Sequence, residues 1–383
     1  MKGEKLNYLE GLRGLSCMVV IFDHCVNEFM PSFRHMGSHG LTGWIKDIIA
    51  MSPLNIIYSG LTPVFIFFVL SGYVLSCKFH ETGNVKYAFS GAIKRYFRLT
   101  GPVVGSMLFL YIIYWVCFAF NDSKTPMSII DVLDESFIKV FFIGGSLHNG
   151  PLWTMKTELI GSLLVFALML VTNSSRYRAF TYLASMVYFY DSNFLLFIFG
   201  MFLCDVYTTG YLKEFVETKN KKILIPLLLI SVYLISYPTV RNHVEVSGIY
   251  SLLDIDMSGG EVARFRLWHV TGVMLLFYCV TNLEFLKNFF SKSFCLLLGR
   301  LSFSVYVLHY PVIIFFREIG WTGGRDIASL FMLSSAVYAI AIGLSFPFEL
   351  YIDRGSVRVS NYISYKVMGA FSVVASSLDR KRA

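Results

Sequence analysis

The chain has 383 residues, of which 55% are hydrophobic and only 15% are charged, and its mean hydropathy is +0.60. Soluble domains usually carry about 25% charged residues, so this composition argues against a soluble protein and predicts a chain that lies largely in a membrane. The formal net charge of +8 does not imply a nucleic-acid partner, because the basic residues are distributed as they are in membrane proteins.

Apolar stretches along the chain predict ten transmembrane helices, since crossing a bilayer takes about 20 mostly apolar residues. In chain order the stretches lie at about 11–30, 56–77, 101–120, 152–172, 179–190, 193–209, 223–240, 267–283, 296–316 and 327–350. The fifth and sixth are short and meet at Asp191-Ser192-Asn193, so a single tight helical hairpin is an alternative there. We predict an all-α polytopic membrane domain over residues 1–353 and a short basic cytoplasmic tail over residues 354–383.

The distribution of lysine and arginine predicts the orientation of these helices. With a cytoplasmic N-terminus, 21 of the 33 basic residues lie in cytoplasmic segments, 9 in outer segments and 3 inside spans. This asymmetry follows the positive-inside rule and places both termini in the cytoplasm. The first stretch lacks a small-residue cleavage pattern and carries Arg13, Asp23 and His24, so we expect it to remain as the first span.

The seven cysteines show no Cys-x-x-Cys pair and no Cys/His ligand spacing. Most of them lie in apolar stretches, where a free cysteine behaves as a small hydrophobic residue. We therefore predict neither a metal site nor a disulfide framework.

Arg13 and His24 are the first candidate functional residues, because ionisable groups inside a membrane are costly. They are 11 residues apart, which is three helical turns plus about 20°, so both project from one helix face about 16 Å apart. A cation near the cytoplasmic mouth and a titratable imidazole at depth suit an anionic ligand that reaches inward. The alternative is a snorkelling arginine and a hydrogen-bonded core histidine. Asp23 does not share this face and is expected to pair with another helix.

Two further ionisable residues fall inside predicted spans. Glu158 lies about two turns into the fourth span and needs a partner, which Lys156 or an arginine of another span would provide. His309 lies near mid-membrane, at about the depth of His24, and Pro311 is expected to kink or loosen the helix there. A structural ion pair and a helix-packing histidine are the alternative explanations of these two residues.

A small-residue pair and a basic stretch form the last candidate. Ser71-Gly72 precedes Tyr73 in an aromatic-rich span and permits close helix approach. Arg95 and Arg98 are three residues apart and share a helix face at the inner membrane surface. Anchoring by positive charge explains them, but arginine is also well suited to binding phosphate.

Taken in order, these segments resemble the motifs of the membrane acyltransferase-3 family. The matching segments are Leu9-Glu10-Gly11-Leu12-Arg13-Gly14-Leu15 with His24, Phe67–Tyr73, Arg95-Tyr96-Phe97-Arg98-Leu99, Leu152–Glu158, and Ser302-Phe303-Ser304-Val305-Tyr306-Val307-Leu308-His309. Each motif alone is a weak signal, but five in the family's order cover nearly the whole chain. The chain departs from the family's pattern in having Thr154 in place of a serine, a charge at Lys156, and Pro102 farther from the basic stretch.

The resemblance implies an integral-membrane O-acyltransferase that moves an acetyl group from cytoplasmic acetyl-CoA to a hydroxyl at an intramembrane site, without a metal. His24 would be the general base or, alternatively, a nucleophile that carries the acyl group. Glu158 would orient the acceptor or His24. His309 would make a second polar contact or help to stabilise the oxyanion.

The resemblance also implies a site for the acyl donor. Coenzyme A is anionic and cytoplasmic, so Arg13, Arg95 and Arg98 would bind its phosphates through charge-assisted hydrogen bonds. Ser71 and Tyr73, from the family's aromatic-rich Ser-Gly segment, are assigned to the same donor site.

The acceptor stays open in the sequence. A glycan or lipid-linked sugar on the outer side is favoured, because Glu158 and the loops 121–151 and 239–266 approach from that side. The O-antigen of lipopolysaccharide, or another surface polysaccharide modified at a bacterial inner membrane, is the first choice; peptidoglycan and small secondary metabolites are alternatives. The expected partners are acetyl-CoA, this acceptor and membrane lipid, with no nucleic acid. A transporter or channel for a small anionic solute is the main alternative from another functional class, and it predicts flux without consumption of acetyl-CoA.

Overall fold

The computed structural model describes residues 6–34, 40–120, 127–173, 175–216, 221–238, 246–321 and 326–382. Throughout these residues the regular structure is helical and contains no strand, which confirms the predicted all-α class. The α-helices are α1 (Asn7–Phe29), α2 (Gly40–Ala50), α3 (Leu61–Thr82), α4 (Lys86–Phe120), α5 (Ile129–Asp134), α6 (Thr154–Thr172), α7 (Arg178–Tyr188), α8 (Phe194–Thr209), α9 (Lys213–Val216), α10 (Leu224–Ile235), α11 (Gly260–Asn282), α12 (Glu284–Phe290), α13 (Ser293–Glu318), α14 (Ile327–Phe348) and α15 (Arg354–Arg382). Short 3₁₀ helices lie at Pro31–Arg34, Pro53–Tyr58, Gly150–Trp153, Lys221–Ile223 and Gly248–Leu253, and π-helical segments at Glu135–Ile143 and Glu349–Asp353.

Each of the ten predicted apolar stretches contains a helix, although the helix ends differ from those of the stretches. α4 begins at Lys86, well before residue 101, because its basic residues continue the helix beyond the apolar part. Pro102 therefore lies inside α4, and α13 likewise continues through Pro311. Both prolines lack a backbone N–H, and the two long helices accommodate them without ending.

Five helical segments of the described residues are long and apolar enough to cross a membrane. They are Leu61–Thr82, Lys86–Ala119, Gly150–Thr172, Ser293–Glu318 and Ile327–Ala370. A sixth candidate arises if α11 and α12, which are bent by 92° at their junction, form one broken span. These segments support an integral membrane protein.

The remaining predicted spans differ from these five in length or charge. α7, α8 and α10 have 11, 16 and 12 residues, which is short of a full crossing. α1 has 23 residues but carries four charged side chains, those of Glu10, Arg13, Asp23 and Glu28. The count of ten spans and the orientation of the termini therefore stay predictions. Of the basic residues counted for this orientation, Lys2, Lys5 and Lys219 of predicted cytoplasmic segments and Lys124, Arg241 and Arg325 of predicted outer segments lie outside the described residues.

The chain divides into two compact units, Met1–Leu70 with Leu212–Gly343 and Ser71–Tyr211 with Leu344–Ala383. In the first unit α1 packs along α13, and α10 packs along α11. Glycines permit both contacts, because a Cβ at Gly14 would collide with the backbone of Gly299 and a Cβ at Gly272 would collide with Ile235.

In the second unit α4 packs against α6 and α15, and α8 packs against α6 and α7. α4 and α15 are antiparallel, because Gly101 faces Ser356 whereas the hydroxyl of Ser90 lies 2.9 Å from that of Ser364. Residues 354–382, predicted as a short basic tail, thus form a helix that continues α14 and lies along α4. The cytoplasmic location of this helix stays a prediction.

Candidate active site

The predicted residues of the first unit lie along the contact between α1 and α13. The two backbones approach closely where Gly11 and Gly14 of α1 face the C-terminal end of α12 and the start of α13. Arg13 donates from Nε to the Ser302 hydroxyl and from Nη2 to the Gly299 carbonyl, both over 2.9 Å. The guanidinium therefore holds α1 against α13, in addition to any role in binding a donor.

His24 and His309 come together farther along the same contact. Their ring centroids are 5.2 Å apart, and the ring of Tyr310 lies 5.6 Å from that of His24. His309 is fully buried, whereas His24 is half-buried. Arg13 and His24 both contact α13, as their spacing predicts, so the shared face of α1 is real and His309 lies opposite it.

The hydrogen bonding of His309 defines its neutral tautomer. Nδ1 of His309 lies 2.6 Å from the Tyr306 carbonyl oxygen, which can only accept, so Nδ1 carries the proton and donates. Nε2 of a neutral His309 ring then carries a lone pair. This buried atom has no hydrogen-bond partner among the described residues. An unpartnered acceptor therefore lies within the histidine pair.

Asp23, which adjoins His24 in sequence, has a separate partner. Its carboxylate forms an ion pair with the buried guanidinium of Arg34, in the 3₁₀ helix that follows α1. Arg34 also donates to the Tyr58 carbonyl over 2.7 Å and lies 4.6 Å above the centre of the Tyr58 ring. The prediction that Asp23 pairs outside its own helix is confirmed, and Asp23 is not the group that orients His24.

The predicted residues of the second unit form a network around Glu158. Oε1 of Glu158 accepts hydrogen bonds from the Ser71 hydroxyl and from Nη2 of Arg95. Nε of Arg95 donates to the Ser162 hydroxyl over 2.7 Å, and Ser162 donates to the Glu158 carbonyl over 2.5 Å. The partner of Glu158 is thus an arginine of another helix, which was one of the two predicted alternatives. The other candidate, Lys156, donates instead to the Ile143 carbonyl at the end of the first π-helical segment.

Arg98 and Tyr73 make further contacts of their own. Arg98 forms an ion pair with Asp353 in the second π-helical segment. Tyr73 is buried in α3, and its carbonyl accepts from the Ser76 hydroxyl. Arg95 and Arg98 both have carboxylate partners, so their role in binding donor phosphates stays a prediction.

The structure thus brings the predicted residues together as two groups, one in each unit. Arg13, His24 and His309 form the first group. Ser71, Arg95 and Glu158 form the second. No sequence pattern indicated that Ser162, in α6, and Asp353, in the second π-helical segment, are partners of the arginines. The sequence did indicate the position of Ser302. It precedes His309 by two helical turns and so lies on the same helix face, and Cys17 precedes His24 by the same spacing.

Comparisons with known proteins show which family the whole chain resembles. The sequence model of a protein family described as "Acyltransferase domain" matches residues 6–353. The chain is 22% identical to O-acetyltransferase PaAT-1 of Phomopsis amygdali, over 94% of this chain and 85% of that protein. It is 20% identical to acyltransferase clz18 of Cochliobolus lunatus, over 87% of this chain and 89% of that protein. No solved structure matches the chain.

Proposed function

The chain belongs to the acyltransferase-3 family and is an acyltransferase, and from this premise we propose that it is an integral-membrane O-acetyltransferase that uses acetyl-CoA as donor and a sugar hydroxyl as acceptor. The observation that carries the proposal is the pair of imidazoles of His24 and His309, which lie 5.2 Å apart between two packed helices. Acyl transfer to an alcohol needs a base at the hydroxyl, and imidazole titrates near neutral pH.

In the proposed reaction His24 takes the proton of the acceptor hydroxyl while the oxygen attacks the thioester carbon. The tetrahedral intermediate then collapses, the C–S bond breaks, and His24 returns the proton to the departing thiolate. His309 assists as an acceptor, because the Tyr306 carbonyl fixes its Nδ1 proton and leaves Nε2 to stabilise the imidazolium of His24. In the alternative mechanism His24 carries the acetyl group as an acyl-imidazole before the acceptor attacks.

Glu158 is proposed to position the acceptor. Ser71 and Arg95 bind its Oε1, whereas Oε2 has no hydrogen-bond partner among the described residues. Because Arg95 and Ser71 bind one oxygen of the carboxylate, the second oxygen can accept a hydrogen bond from a sugar hydroxyl. Glu158 is therefore assigned to binding of the acceptor.

The donor is proposed to bind through Arg13 and Arg98. Arg95, Ser71 and Tyr73 belong to the family's motifs and are assigned to donor binding as well. The Arg98 side chain is 28% exposed and that of Arg95 is 15% exposed. Arg98 is therefore the better placed of the two to exchange its carboxylate for a phosphate of coenzyme A.

The acceptor is proposed to be a surface polysaccharide such as O-antigen or a lipid-linked sugar, acetylated at a bacterial inner membrane. Nothing in the comparisons supports the transporter or channel alternative, whereas both relatives carry acyltransferase names. Mass spectrometry of surface glycans with and without the gene tests the acceptor, because loss of an acetyl group changes the glycan mass. Glycans of unchanged mass would exclude this acceptor class.

Acetylation assays in membranes, at matched expression, test the catalytic proposal. We expect His24→Ala to lower turnover by about 10²–10⁴-fold, the usual range for loss of a general base. His148→Gln, which changes a histidine in the connection between α4 and α6, is expected to keep normal turnover. Near-normal turnover of His24→Ala would exclude both proposed roles of this residue.

The donor assignment of Arg13 needs a control for its structural bonds. We expect Arg13→Ala to raise the KM for acetyl-CoA, because a phosphate contact is lost. Ser302→Ala removes a hydrogen bond of Arg13 but leaves the guanidinium, so it is expected to lower thermal stability without changing this KM. Equal KM values in the Arg13→Ala variant and the unmodified enzyme would remove Arg13 from the donor site.

A further inference from the structure

Two cysteines of the second unit lie in direct contact. Sγ of Cys77, on α3, is 3.0 Å from Sγ of Cys204, on α8. Cys204 is completely buried and Cys77 is half-buried. A disulfide has an S–S length of about 2.05 Å, so closing this gap takes about 1 Å of movement. We propose that Cys77 and Cys204 are a redox-active thiol pair that a peroxide converts into a disulfide joining α3 to α8.

The contact between the helices explains why the two sulfurs meet. A Cβ at Gly72 would collide with the backbone of Phe197, so α3 and α8 touch between one and two turns before the cysteines. Both helices run in the same direction through this contact, since the later residues Cys77 and Cys204 also meet. The helices α3 and α8 thus meet at Gly72 with Phe197 and again at the two thiols. Separating the helices would break both contacts, so the thiols stay adjacent.

Charged side chains lie beside the thiol pair. Asp205, which follows Cys204, is buried and accepts a hydrogen bond from Tyr182. His80 lies 3.5 Å from one of its oxygens and Arg178 lies 3.1 Å from the other. These groups make the end of this helix contact polar, unlike the dry apolar setting in which a buried cysteine is inert.

His80 supplies a proton acceptor for Cys77. It follows Cys77 by three residues on α3 and therefore projects from the same side of the helix. Its Nε2 is buried and has no hydrogen-bond partner among the described residues. The imidazole can take the Cys77 proton, which produces the thiolate that oxidation requires.

The chemistry proceeds in two steps that balance. The Cys77 thiolate attacks one oxygen of hydrogen peroxide, the O–O bond breaks, and a sulfenic acid and one water form. The Cys204 thiolate then attacks the Cys77 sulfur, forms the S–S bond and expels the hydroxyl, which leaves as a second water. Two thiols and one peroxide thus give one disulfide and two waters, with the sulfurs oxidised and the peroxide reduced. Cys77 reacts first because it is the more accessible thiol.

Counting thiols in the full-length chain tests this proposal. Protein in micelles is treated with hydrogen peroxide, quenched, denatured and labelled with a maleimide polymer that retards each labelled chain on a gel. We expect the oxidised chain to lose two of its seven labelled thiols and to regain them after reduction. Cys77→Ala and Cys204→Ala are each expected to show no such paired, reversible loss. Cys279→Ala is the matched control and should still lose two thiols, because Cys279 packs against Leu224 and Leu283 and its thiol donates to the Leu224 carbonyl.

Peptide mass spectrometry of the unmodified chain keeps the test independent of how the variants fold. The expected product is one cross-linked pair of peptides that contains Cys77 and Cys204. A loss of thiols that reduction does not reverse, a cross-link between other cysteines, or no loss at all would overturn the proposal.

Discussion

Individual charges in the apolar helices are paired with opposite charges of other segments. Arg34 binds Asp23, Arg95 binds Glu158, and Arg98 binds Asp353. An unpaired charge in such surroundings costs several kcal/mol, so each member of a pair depends on the other. The pair of Arg95 and Glu158 allows this dependence to be measured, since both side chains are less than one-sixth exposed.

A double-mutant cycle on Arg95 and Glu158 should reveal strong coupling. Arg95→Gln and Glu158→Gln each remove one charge, and we expect each to lower the free energy of unfolding by about 3 kcal/mol because the other charge loses its partner. The double variant should be more stable than the sum of the two losses predicts, by about 1–3 kcal/mol. Denaturant titration in micelles measures all four proteins.

The exposed pair of Lys78 and Glu81 is the matched control for this cycle. Its side chains are 65% and 44% exposed, so we expect a coupling energy below about 1 kcal/mol. If the cycle on Arg95 and Glu158 gave a value as small as this control, the network around Glu158 would not be a coupled structural unit.

His148 and Glu135, in the connection between α4 and α6, give the chain a pH-dependent contact. The hydrogen bond with Glu135, over 2.7 Å, raises the pKa of His148 above its ordinary value of 6.5. Burial alone would raise the pKa of Glu135, but hydrogen bonds from His148 and Ser146 outweigh it and lower that pKa below 4.5. Both side chains are therefore charged at pH values between the lowered pKa of Glu135 and the raised pKa of His148.

We expect the stabilising effect of His148 to depend on pH in a defined direction. Its contribution is fully present below pH 6.5 and declines as the pH rises through the raised pKa of the folded state. The contribution of Glu135 is present above pH 4.5 and declines as the pH falls through its lowered pKa. Melting curves of His148→Gln and the unmodified chain should thus differ most near pH 5–6.5 and converge in alkaline buffer.

Ser146→Ala provides the control for the pH series. Ser146 donates to the same carboxylate but does not titrate, so its loss should lower the melting temperature equally at neutral and alkaline pH. A melting difference for His148→Gln that stays constant from pH 6 to alkaline pH would contradict the assigned proton linkage.

Single residues also show which parts of the site a sequence can reveal. The shared face of Arg13 and His24 follows from helical geometry alone, and in the structure both side chains contact α13. The partners of Arg13 are 286 and 289 residues away in sequence, and local geometry carries no information about such distant contacts. The partner of Glu158 was narrowed to a lysine or an arginine, and only the three-dimensional packing selects Arg95.

At the scale of whole elements, the apolar stretches located the helices but not their ends. Hydropathy detects the part of a helix that prefers lipid, whereas backbone hydrogen bonding continues wherever residues favour helix. α4 and α15 show this difference, since both extend through basic residues that hydropathy assigns to loops. No periodicity of the sequence indicated the π-helical segment Glu135–Ile143.

The contact between α1 and α13 depends on small residues, and Gly14 tests this dependence. Gly14→Ala would place a Cβ against the backbone of Gly299, which cannot move without shifting a helix. We expect a loss of about 1–3 kcal/mol of stability, the usual range for overpacking, and lower acetylation because the histidine pair lies on the same two helices. Thermal unfolding and turnover are measured together.

Gly343 of α14 is the matched control, because no atom lies within 4 Å of the position where its Cβ would be. Gly343→Ala should be neutral or stabilising by up to about 1 kcal/mol, as alanine favours helix. If Gly14→Ala were as well tolerated as Gly343→Ala, close packing of α1 on α13 would not be required.

For the whole molecule, the open question is how many times the chain crosses the membrane. Both termini lie on the same side only if the number of spans is even, which six or ten crossings satisfy and five do not. The distribution of charge, with 21 basic residues in predicted cytoplasmic segments and 9 in outer ones, favours the even number. The short helices α7 and α8, which form the fifth and sixth predicted spans, distinguish ten crossings from eight.

Labelling at the turn between α7 and α8 decides this question. With ten spans this turn faces outward, so a cysteine introduced at Asp191 should react with a membrane-impermeant maleimide in intact cells. Ile130→Cys, in a predicted outer loop and 73% exposed, should react in the same way. Lys366→Cys, in α15, should react only after the membrane is permeabilised, because the distribution of positive charge predicts a cytoplasmic location for this helix. If Asp191→Cys behaved like Lys366→Cys, the helices α7 and α8 would not cross the membrane, and the remaining predicted stretches would give eight crossings.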